Sequence, residues 1–239
     1  RKYKNMEKKY LFFDIDGTLT DRSTGEIVPS AREALTKLEE NGHFVAIATG
    51  RAHYKARKFT DANGFKNMVC CGGNGCVIDN ELVENIPLDK DGCIKIIHQA
   101  EELGYGWCVA LDDTKDVYMT DDKFLRQVGK RKEPTRYIID DMLEVEKADA
   151  IYKVYAAIPK EDEEKLTTKE LVGHLRFEPE YLMFQPDNKR GGIIKMMEHL
   201  NADIKDVVVF GDDYNDMDMF CPEWFSIAMG NACQDLKDI

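Results

Sequence analysis

Continuous apolar runs alternate with amphipathic stretches along the start of the chain. Apolar runs bounded by Gly and polar residues are typical of strands in a parallel sheet that is buried on both faces. They are KKYLFFDID, HFVAIATG and NMVCCGG. The stretches between them, PSAREALTKLEENG and RAHYKARKFTDANG, predict two helices because their apolar residues recur with helical spacing. This β-α-β-α-β alternation predicts a doubly wound parallel sheet of the α/β class.

Capping signals stand at the ends of the two predicted helices. Ser30 with Glu33 predicts a capping box at the start of the first helix. Asn41 with Gly42 predicts its end, and Gly64 predicts the end of the second helix.

The pattern changes between Glu81 and Pro186, where helical stretches are mixed with pairs of short strands. In chain order we expect a helix, a hairpin, a strand, a charged helix and two more strands: DGCIKIIHQAEELG, GWCVALDD with KDVYMTDD, IYKVYAAIP, KEDEEKLTTKELVG and LRFEPEYLMFQP. The helix GGIIKMMEHLN, the strand DVVVFGDD and a helix from Asp216 then resume the earlier pattern. We therefore predict an α+β domain over residues 81–186, inserted into a core of residues 1–80 and 187–239.

Composition is that of an ordinary soluble globular protein, with 239 residues, 43% hydrophobic and 33% charged. The net charge of −12 argues against a nucleic-acid partner. The chain has no apolar run near the length of about 20 residues that spans a bilayer, so we expect no membrane association. Seven scattered cysteines without a CxxC pair indicate reduced thiols, which favours a cytoplasmic protein.

The ends of the chain carry weaker signals. The first residues lack the apolar region of a signal peptide, and Met6 is a candidate natural start. The last residues stop without an obvious closing strand, so we expect that the true C-terminus lies further on. No obligate protein partner is evident from the sequence.

Acidic residues follow directly after two of the predicted strands. Asp14 and Asp16 end the first strand, and Asp212 ends the late strand. Like charges about 4 Å apart repel by about 1 kcal/mol in water and about 4 kcal/mol near a protein surface, so a cation is expected beside them. Carboxylates with water and a phosphate oxygen are the ligands that Mg²⁺ prefers. The sequence therefore predicts a magnesium site.

Groups suited to a phosphate are expected beside these acids. Thr49 offers a hydroxyl, Gly50 lets a backbone N–H approach closely, and Lys189 supplies a compact positive charge. A transferring phosphoryl group requires such groups because negative charge develops on it.

Four segments of the chain resemble the motifs of the haloacid dehalogenase (HAD) superfamily. They are DIDGTLTD at Asp14, ATGR at Thr49, DNKRGGI at Lys189 and GDDYND at Asp212. NGCVIDN, and the insert between the second and third motifs, resemble the Cof-type phosphatases of subfamily IIB. The resemblance implies a HAD-like, Rossmannoid core with an inserted α+β cap domain.

The resemblance also implies a role for each matching residue. Asp14 would be the nucleophile and a Mg²⁺ ligand, and Asp16 the general acid/base, binding the metal through its backbone carbonyl. Asp212 would be the third ligand, with Asp216 behind it. The phosphate and the rest of the substrate would contact a further set of residues: Ile15 through its backbone N–H, Thr49, Gly50, Arg51, Lys189 and Asn215.

The expected activity is Mg²⁺-dependent hydrolysis of a small phosphorylated metabolite, with sugar phosphates first among candidates, through an aspartyl-phosphate. Two alternatives stay open: a phosphomutase or phosphotransferase that uses the same nucleophile, and a non-enzymatic signalling module phosphorylated by a partner. Two positions depart from the family pattern. Arg190 stands after Lys189 where Gly is usual, so it could compete for that role, and Asp213 stands where Gly is common.

Overall fold

The structure is a computed structural model that describes residues 7–239, so the candidate start at Met6 lies outside the described residues. The strands are β1 Tyr10–Phe13, β2 Phe44–Ala48, β3 Met68–Cys70, β4 Gly75–Ile78, β5 Glu81–Asn85, β6 Trp107–Ala110, β7 Asp116–Met119, β8 Arg136–Ile139, β9 Lys153–Ala156, β10 His174–Glu178, β11 Tyr181–Phe184, β12 Val207–Gly211 and β13 Phe225–Ala228. The α-helices are α1 Pro29–Glu40, α2 His53–Asn63, α3 Lys90–Glu102, α4 Lys123–Val128, α5 Lys189–His199 and α6 Gln234–Lys237.

The chain divides into two compact units. The core unit ends its first segment at Asn85 and resumes at Asn188–Ile239, and the inserted unit is Ile86–Asp187. The core unit includes β5, which the sequence pattern placed at the start of the insert. It does so because β5 pairs antiparallel with β4 at the edge of the core sheet.

The core unit is a doubly wound α/β sheet, as predicted. Its strand order is β13-β12-β1-β2-β3-β4-β5, and the pairs from β13 to β3 are parallel. Apolar side chains alternate along β1, so that Phe12 packs on the side of α5 while Leu11 and Phe13 pack on the side of α1 and α2. Burial on both faces explains why these strands are continuously apolar.

The inserted unit has its own sheet and its own apolar core. The sheet order is β10-β11-β9-β6-β7-β8, with all pairs antiparallel except β7 with β8. Helix α3 buries Cys93, Ile96, Ile97 and Ala100 in that core. The α+β class predicted for this part of the chain is confirmed.

Three local predictions are wrong. Helix α1 has no Ser30–Glu33 capping box, because it begins at Pro29, whose φ already suits the first helical position. The charged segment KEDEEKLTTKELVG is not an α-helix but two short 3₁₀ turns, because Leu166 between them is fully buried and Thr168 donates its backbone N–H to Gln99 Oε1. The helix expected from Asp216 is a 3₁₀ helix, Tyr214–Met219.

Other predictions for the elements hold. Gly64 ends α2 in the left-handed conformation, with φ of 78°. Strands β8 and β13 and helix α4 were not predicted; each is only four to six residues long. Within the described residues, no helix is both long enough and apolar enough to cross a membrane.

Candidate active site

The three parallel strands β12, β1 and β2 lie side by side and carry the candidate residues just beyond their carboxyl ends. Phe13 of β1 pairs with Phe210 of β12 and with Ile47 of β2, so the chain leaves all three strands at the same edge. The Asp14 backbone N–H still donates to the Phe210 carbonyl at 3.1 Å. Ligands of doubly wound sheets bind at this edge.

Three buried carboxylates meet there. Each of Asp14, Asp212 and Asp216 places a carboxylate oxygen within 4.8 Å of the other two. Of the three acids expected to converge, Asp14, Asp16 and Asp212, the first and the last lie in this cluster, and the fold adds the carboxylate of Asp216. We call these three residues the acidic cluster.

Lys189 is the buried cation of the acidic cluster. Its Nζ donates to Asp14 Oδ1 at 2.8 Å and to Asp216 Oδ1 at 2.6 Å, and the side chain is only 1% exposed. Arg190 does not share this position. Its guanidinium pairs with Glu223, and its backbone N–H donates to Asp218 Oδ2 at 3.0 Å.

The loop after β3 sets the start of α5 and so the position of Lys189. The Asn188 backbone N–H donates to the Gly72 carbonyl at 2.8 Å, and the Asn188 side chain caps the helix by accepting from the Gly191 N–H at 2.9 Å. Gly73, with φ of 107°, approaches so closely that a Cβ there would lie 1.9 Å from the Asn188 carbonyl oxygen. Only glycine fits that contact.

The pKa values of Asp14 and Lys189 are both raised, but for different reasons. Burial raises the pKa of Asp14 to about 6; Lys189 opposes that rise, and the Asp216 carboxylate adds to it. Burial alone would lower the pKa of Lys189, but the charges of Asp14 and Asp216 outweigh it and raise that pKa. Lys189 therefore remains an ammonium in the acidic cluster.

Asp216 also orients the backbone around Asp212. Its Oδ2 accepts the N–H of Asp212 at 2.9 Å and of Asp213 at 3.2 Å, which fixes the turn after β12. Gly211 permits this because a Cβ there would lie 2.7 Å from the Asp216 Cβ. Asp216 thus has two contacts in the cluster, an ion pair with Lys189 and this backbone cap.

Asp212 is held by a different set of partners. Oδ1 accepts from the Thr18 hydroxyl at 2.8 Å. Oδ2 accepts from Arg22 Nη2 at 2.7 Å and from Asn231 Nδ2 at 3.3 Å. The Arg22 and Asn231 contacts were missed by sequence reasoning, because an isolated Arg or Asn in a polar loop carries no local signal; Thr18 stands within the DGT triplet, which is a usable one.

Asp16 and Arg51 form a separate ion pair. Arg51 Nη2 donates to both carboxylate oxygens of Asp16, at 2.9 Å and 2.8 Å, and the Asp16 side chain is 62% exposed. The Arg51 backbone N–H donates to Thr49 Oγ1 at 3.1 Å, and Thr49 itself is buried. The Asp16 carboxylate is thus outside the acidic cluster, while the loop of Thr49, Gly50 and Arg51 lies beyond the end of β2.

Two further predicted residues lie on the adjoining loops. Ile15 is buried, and its carbonyl accepts the N–H groups of Leu19 and Thr20 at 3.1 Å and 3.0 Å, so the loop after β1 turns tightly there. Asn215 is half-buried in the 3₁₀ helix that also carries Asp216.

The residues of the acidic cluster fit a divalent cation. The acidic cluster holds three carboxylates and is paired with the ammonium of Lys189, which leaves two negative charges in a buried site. Only the charge of Asp212 is met by a further cation, the half-exposed Arg22. Buried charge without compensation is costly. The donors are all carboxylate oxygens, which suit a hard divalent cation.

Comparison with known proteins gives consistent matches over nearly the whole chain. The profile of the haloacid dehalogenase-like hydrolases matches residues 11–239. YkrA, a candidate phosphatase of Bacillus subtilis (strain 168), is 30% identical over 98% of this chain and 91% of YkrA. The pyridoxal phosphate phosphatase YbhA of Escherichia coli (strain K12) is 27% identical over 97% of this chain and 91% of YbhA.

Solved structures share the fold. A hypothetical protein of Geobacillus kaustophilus HTA426 has a TM-score of 0.78 at 25% identity, covering 97% of this chain and 90% of that one. The HAD subclass IIB sugar phosphatase BT4131 has a TM-score of 0.74 at 23% identity, covering 97% and 91%. At that identity the second likeness concerns the fold alone.

Proposed function

Because this chain belongs to the haloacid dehalogenase-like hydrolases, as a phosphatase of the Cof-type subfamily IIB, we propose that it hydrolyses a small phosphorylated metabolite through an aspartyl-phosphate on Asp14. Relatives named by activity are phosphatases of pyridoxal phosphate, phosphoglycolate and HMP-PP. That agreement favours hydrolysis over the phosphotransferase and signalling alternatives.

The observation that carries the proposal is the contact of Asp14 with Lys189 inside the acidic cluster. Lys189 Nζ bonds Asp14 Oδ1, which orients the carboxylate and leaves Oδ2 as the proposed attacking atom. A buried carboxylate is a stronger nucleophile than a hydrated one, and Lys189 offsets the negative charge that approaches with the substrate. A bound Mg²⁺, held by the acidic cluster, would supply further neutralisation of the phosphoryl oxygens.

The reaction needs two steps with balanced protons. In the first, Asp14 Oδ2 bonds to phosphorus, the bond from phosphorus to the ester oxygen breaks, and Asp16 gives that oxygen a proton. In the second, Asp16 takes a proton from water as the water oxygen attacks phosphorus, and the bond to Asp14 breaks to release phosphate. Asp16 must leave Arg51 and take up a proton from water before the first step, and the second step returns that proton to it; Arg51 is proposed to exchange Asp16 for an anionic part of the substrate.

Sugar phosphates are the proposed substrate class, because the resemblance to the Cof-type phosphatases puts them first; the relatives named by activity act on other phosphate esters. A panel of sugar phosphates, pyridoxal phosphate and phosphoglycolate, assayed for free phosphate with Mg²⁺ present, tests it. We expect the highest kcat/KM among the sugar phosphates. A clear preference for pyridoxal phosphate or phosphoglycolate would replace that class, and a sugar phosphate converted without phosphate release would indicate a mutase.

Asp14→Asn tests the nucleophile. We expect turnover of an aryl phosphate to fall by about a thousandfold or more, because the amide cannot form the aspartyl-phosphate. Asp61→Asn is the matched control, since Asp61 lies on the exposed face of α2 in an ion pair with Arg57 and should leave turnover unchanged. Circular dichroism of both variants checks folding. A folded Asp14→Asn protein with near-normal turnover would contradict the assignment.

Removal of divalent cations tests the metal. We expect phosphate release to disappear after exhaustive chelation and to return on addition of Mg²⁺, because two negative charges of the acidic cluster otherwise oppose an anionic substrate. Full turnover in the chelated protein would show that the acidic cluster acts without a metal.

A further inference from the structure

The cation that pairs with Asp212 is Arg22 and not Lys189. Lys189 bonds the other two members of the acidic cluster, Asp14 and Asp216. Asp212 Oδ2 is instead bonded by Arg22, which lies 190 positions away along the chain, in the loop after β1. The acidic cluster therefore has two cations of different kinds, one buried and one at the surface.

The same nitrogen of Arg22 contacts a second carboxylate. Nη2 lies 2.7 Å from Asp212 Oδ2 and 2.8 Å from Asp213 Oδ2. Asp212 is fully buried at its side chain, Asp213 is 38% exposed and Arg22 is 56% exposed. Arg22 thus bridges an inner and an outer carboxylate, and it can leave the inner one without losing its ion pair.

Gly17 makes room for this bridge. A Cβ at Gly17 would lie 2.1 Å from Asp212 Oδ2 and 2.6 Å from Arg22 Nε, so the guanidinium crosses the bare Cα of Gly17 on its way to Asp212. The φ of 90° at Gly17 also favours glycine.

A guanidinium on Asp212 and a divalent cation in the acidic cluster compete for the same charge. We propose that Arg22 is an exchangeable counter-ion: it occupies Asp212 in the metal-free protein and stays on Asp213 alone when the cation binds. This inference rests on the proposed function, because it takes the acidic cluster to be the metal site. Arg22 acts through Asp212 and is a positioning residue.

Binding of Mn²⁺, measured by calorimetry or electron paramagnetic resonance without substrate, tests the exchange. Arg22→Gln should bind Mn²⁺ about fivefold more tightly than the wild type, because a half-exposed ion pair no longer has to break. Arg57→Gln is the matched control, since Arg57 is 60% exposed and pairs with Asp61 on α2; its Mn²⁺ affinity should equal that of the wild type. Unchanged or weaker binding by Arg22→Gln would overturn the proposal.

Asp213→Asn distinguishes the exchange of Arg22 from a direct effect of the Asp213 charge on Mn²⁺ binding. Without Asp213, a displaced Arg22 has lost its second partner, so Mn²⁺ should bind about threefold more weakly. In the Arg22→Gln background, Asp213→Asn should lower the Mn²⁺ affinity much less, because there is no guanidinium for Asp213 to hold. An equal loss in both backgrounds would mean that Asp213 acts only by its charge, and would overturn the exchange.

Thermal unfolding gives a second readout. In EDTA, Arg22→Gln should lower Tm, because Asp212 becomes a buried carboxylate without its cation. With saturating Mn²⁺ the difference from the wild type should shrink, since the metal supplies the charge and binding stabilises the folded state. An equal difference under both conditions would contradict the exchange.

The two proposals can fail separately. If the wild type binds Mn²⁺ and releases phosphate but Arg22→Gln has unaltered affinity, only the exchange is wrong. If the wild type binds no Mn²⁺, the metal site of the proposed function is wrong and the exchange falls with it.

Discussion

Lys189 pairs with two of the three carboxylates of the acidic cluster. Its ammonium bonds two carboxylates while its side chain is almost entirely removed from water. An ion pair buried in this way contributes little net stability as a pair, but loss of one partner leaves the others as uncompensated buried charges.

Lys189→Met should therefore destabilise the protein strongly. We expect the free energy of unfolding to fall by about 3–5 kcal/mol, because Asp14 and Asp216 then face each other without a cation. Urea unfolding followed by circular dichroism measures it. Lys37→Met is the control: Lys37 pairs with Glu33 on the exposed face of α1, and we expect a change within about 0.5 kcal/mol. Similar small losses for both variants would contradict the electrostatic role of Lys189.

At this scale the sequence was informative wherever a residue adjoins a strand end. Asp14 and Asp212 were predictable because the chain leaves neighbouring parallel strands at one edge. Arg22 and Asn231 were not, because their contacts with Asp212 depend on loop paths that no local pattern encodes.

Among the elements, the turn after β3 packs directly against the backbone at the start of α5. Gly73 packs on the Asn188 carbonyl, and α5 begins at the next residue, Lys189. A displacement of this turn would move the start of α5 and with it the ammonium of Lys189.

Gly73→Ala should lower the free energy of unfolding more than Gly64→Ala does, although both glycines have a positive φ. Gly64→Ala, at φ of 78° and with no neighbouring atom within 4 Å of the place its Cβ would take, should lose about 1 kcal/mol of unfolding free energy from the left-handed conformation alone. Gly73→Ala should lose about 2 kcal/mol more and also reduce turnover, since its Cβ meets a backbone carbonyl. Urea unfolding and phosphate release measure both variants, and equal losses would show that the turn yields without cost.

The elements were predicted well where burial is periodic and poorly where tertiary contacts outweigh propensity. The charged segment after β9 has the composition of a helix, yet Leu166 is fully buried and Gln99 of α3 bonds Thr168, so the segment forms only short turns. Pro29 likewise displaced the expected Ser30 cap.

The whole molecule consists of two units, each with its own sheet and its own apolar core. The inserted unit is one continuous segment, Ile86–Asp187, with a buried apolar cluster of its own. It also buries Cys93 and Cys108, and burial raises the pKa of the Cys93 thiol to about 12.

A fragment of residues 86–187 should fold by itself, because its core is formed from its own residues. We expect a cooperative urea transition and no alkylation of Cys93 or Cys108 by iodoacetamide at about pH 8 below that transition, since the thiolate is the reactive form. Both thiols should react once the fragment unfolds. Alkylation at the rate of the unfolded chain in the absence of urea would show that the fragment needs the core unit.

The sequence by itself determined the α/β class, the insertion of an α+β segment and the acids at the strand ends. These follow from burial periodicity and from residues adjacent along the chain, which act within a few positions. Only the tertiary structure decided that Asp216 also meets Asp14, that the expected Lys189 bonds both of these acids while Arg190 pairs with Glu223, and that Arg22 spans to Asp212. Those contacts join segments far apart in the chain, so they exist only once the sheet has set the directions in which its loops leave.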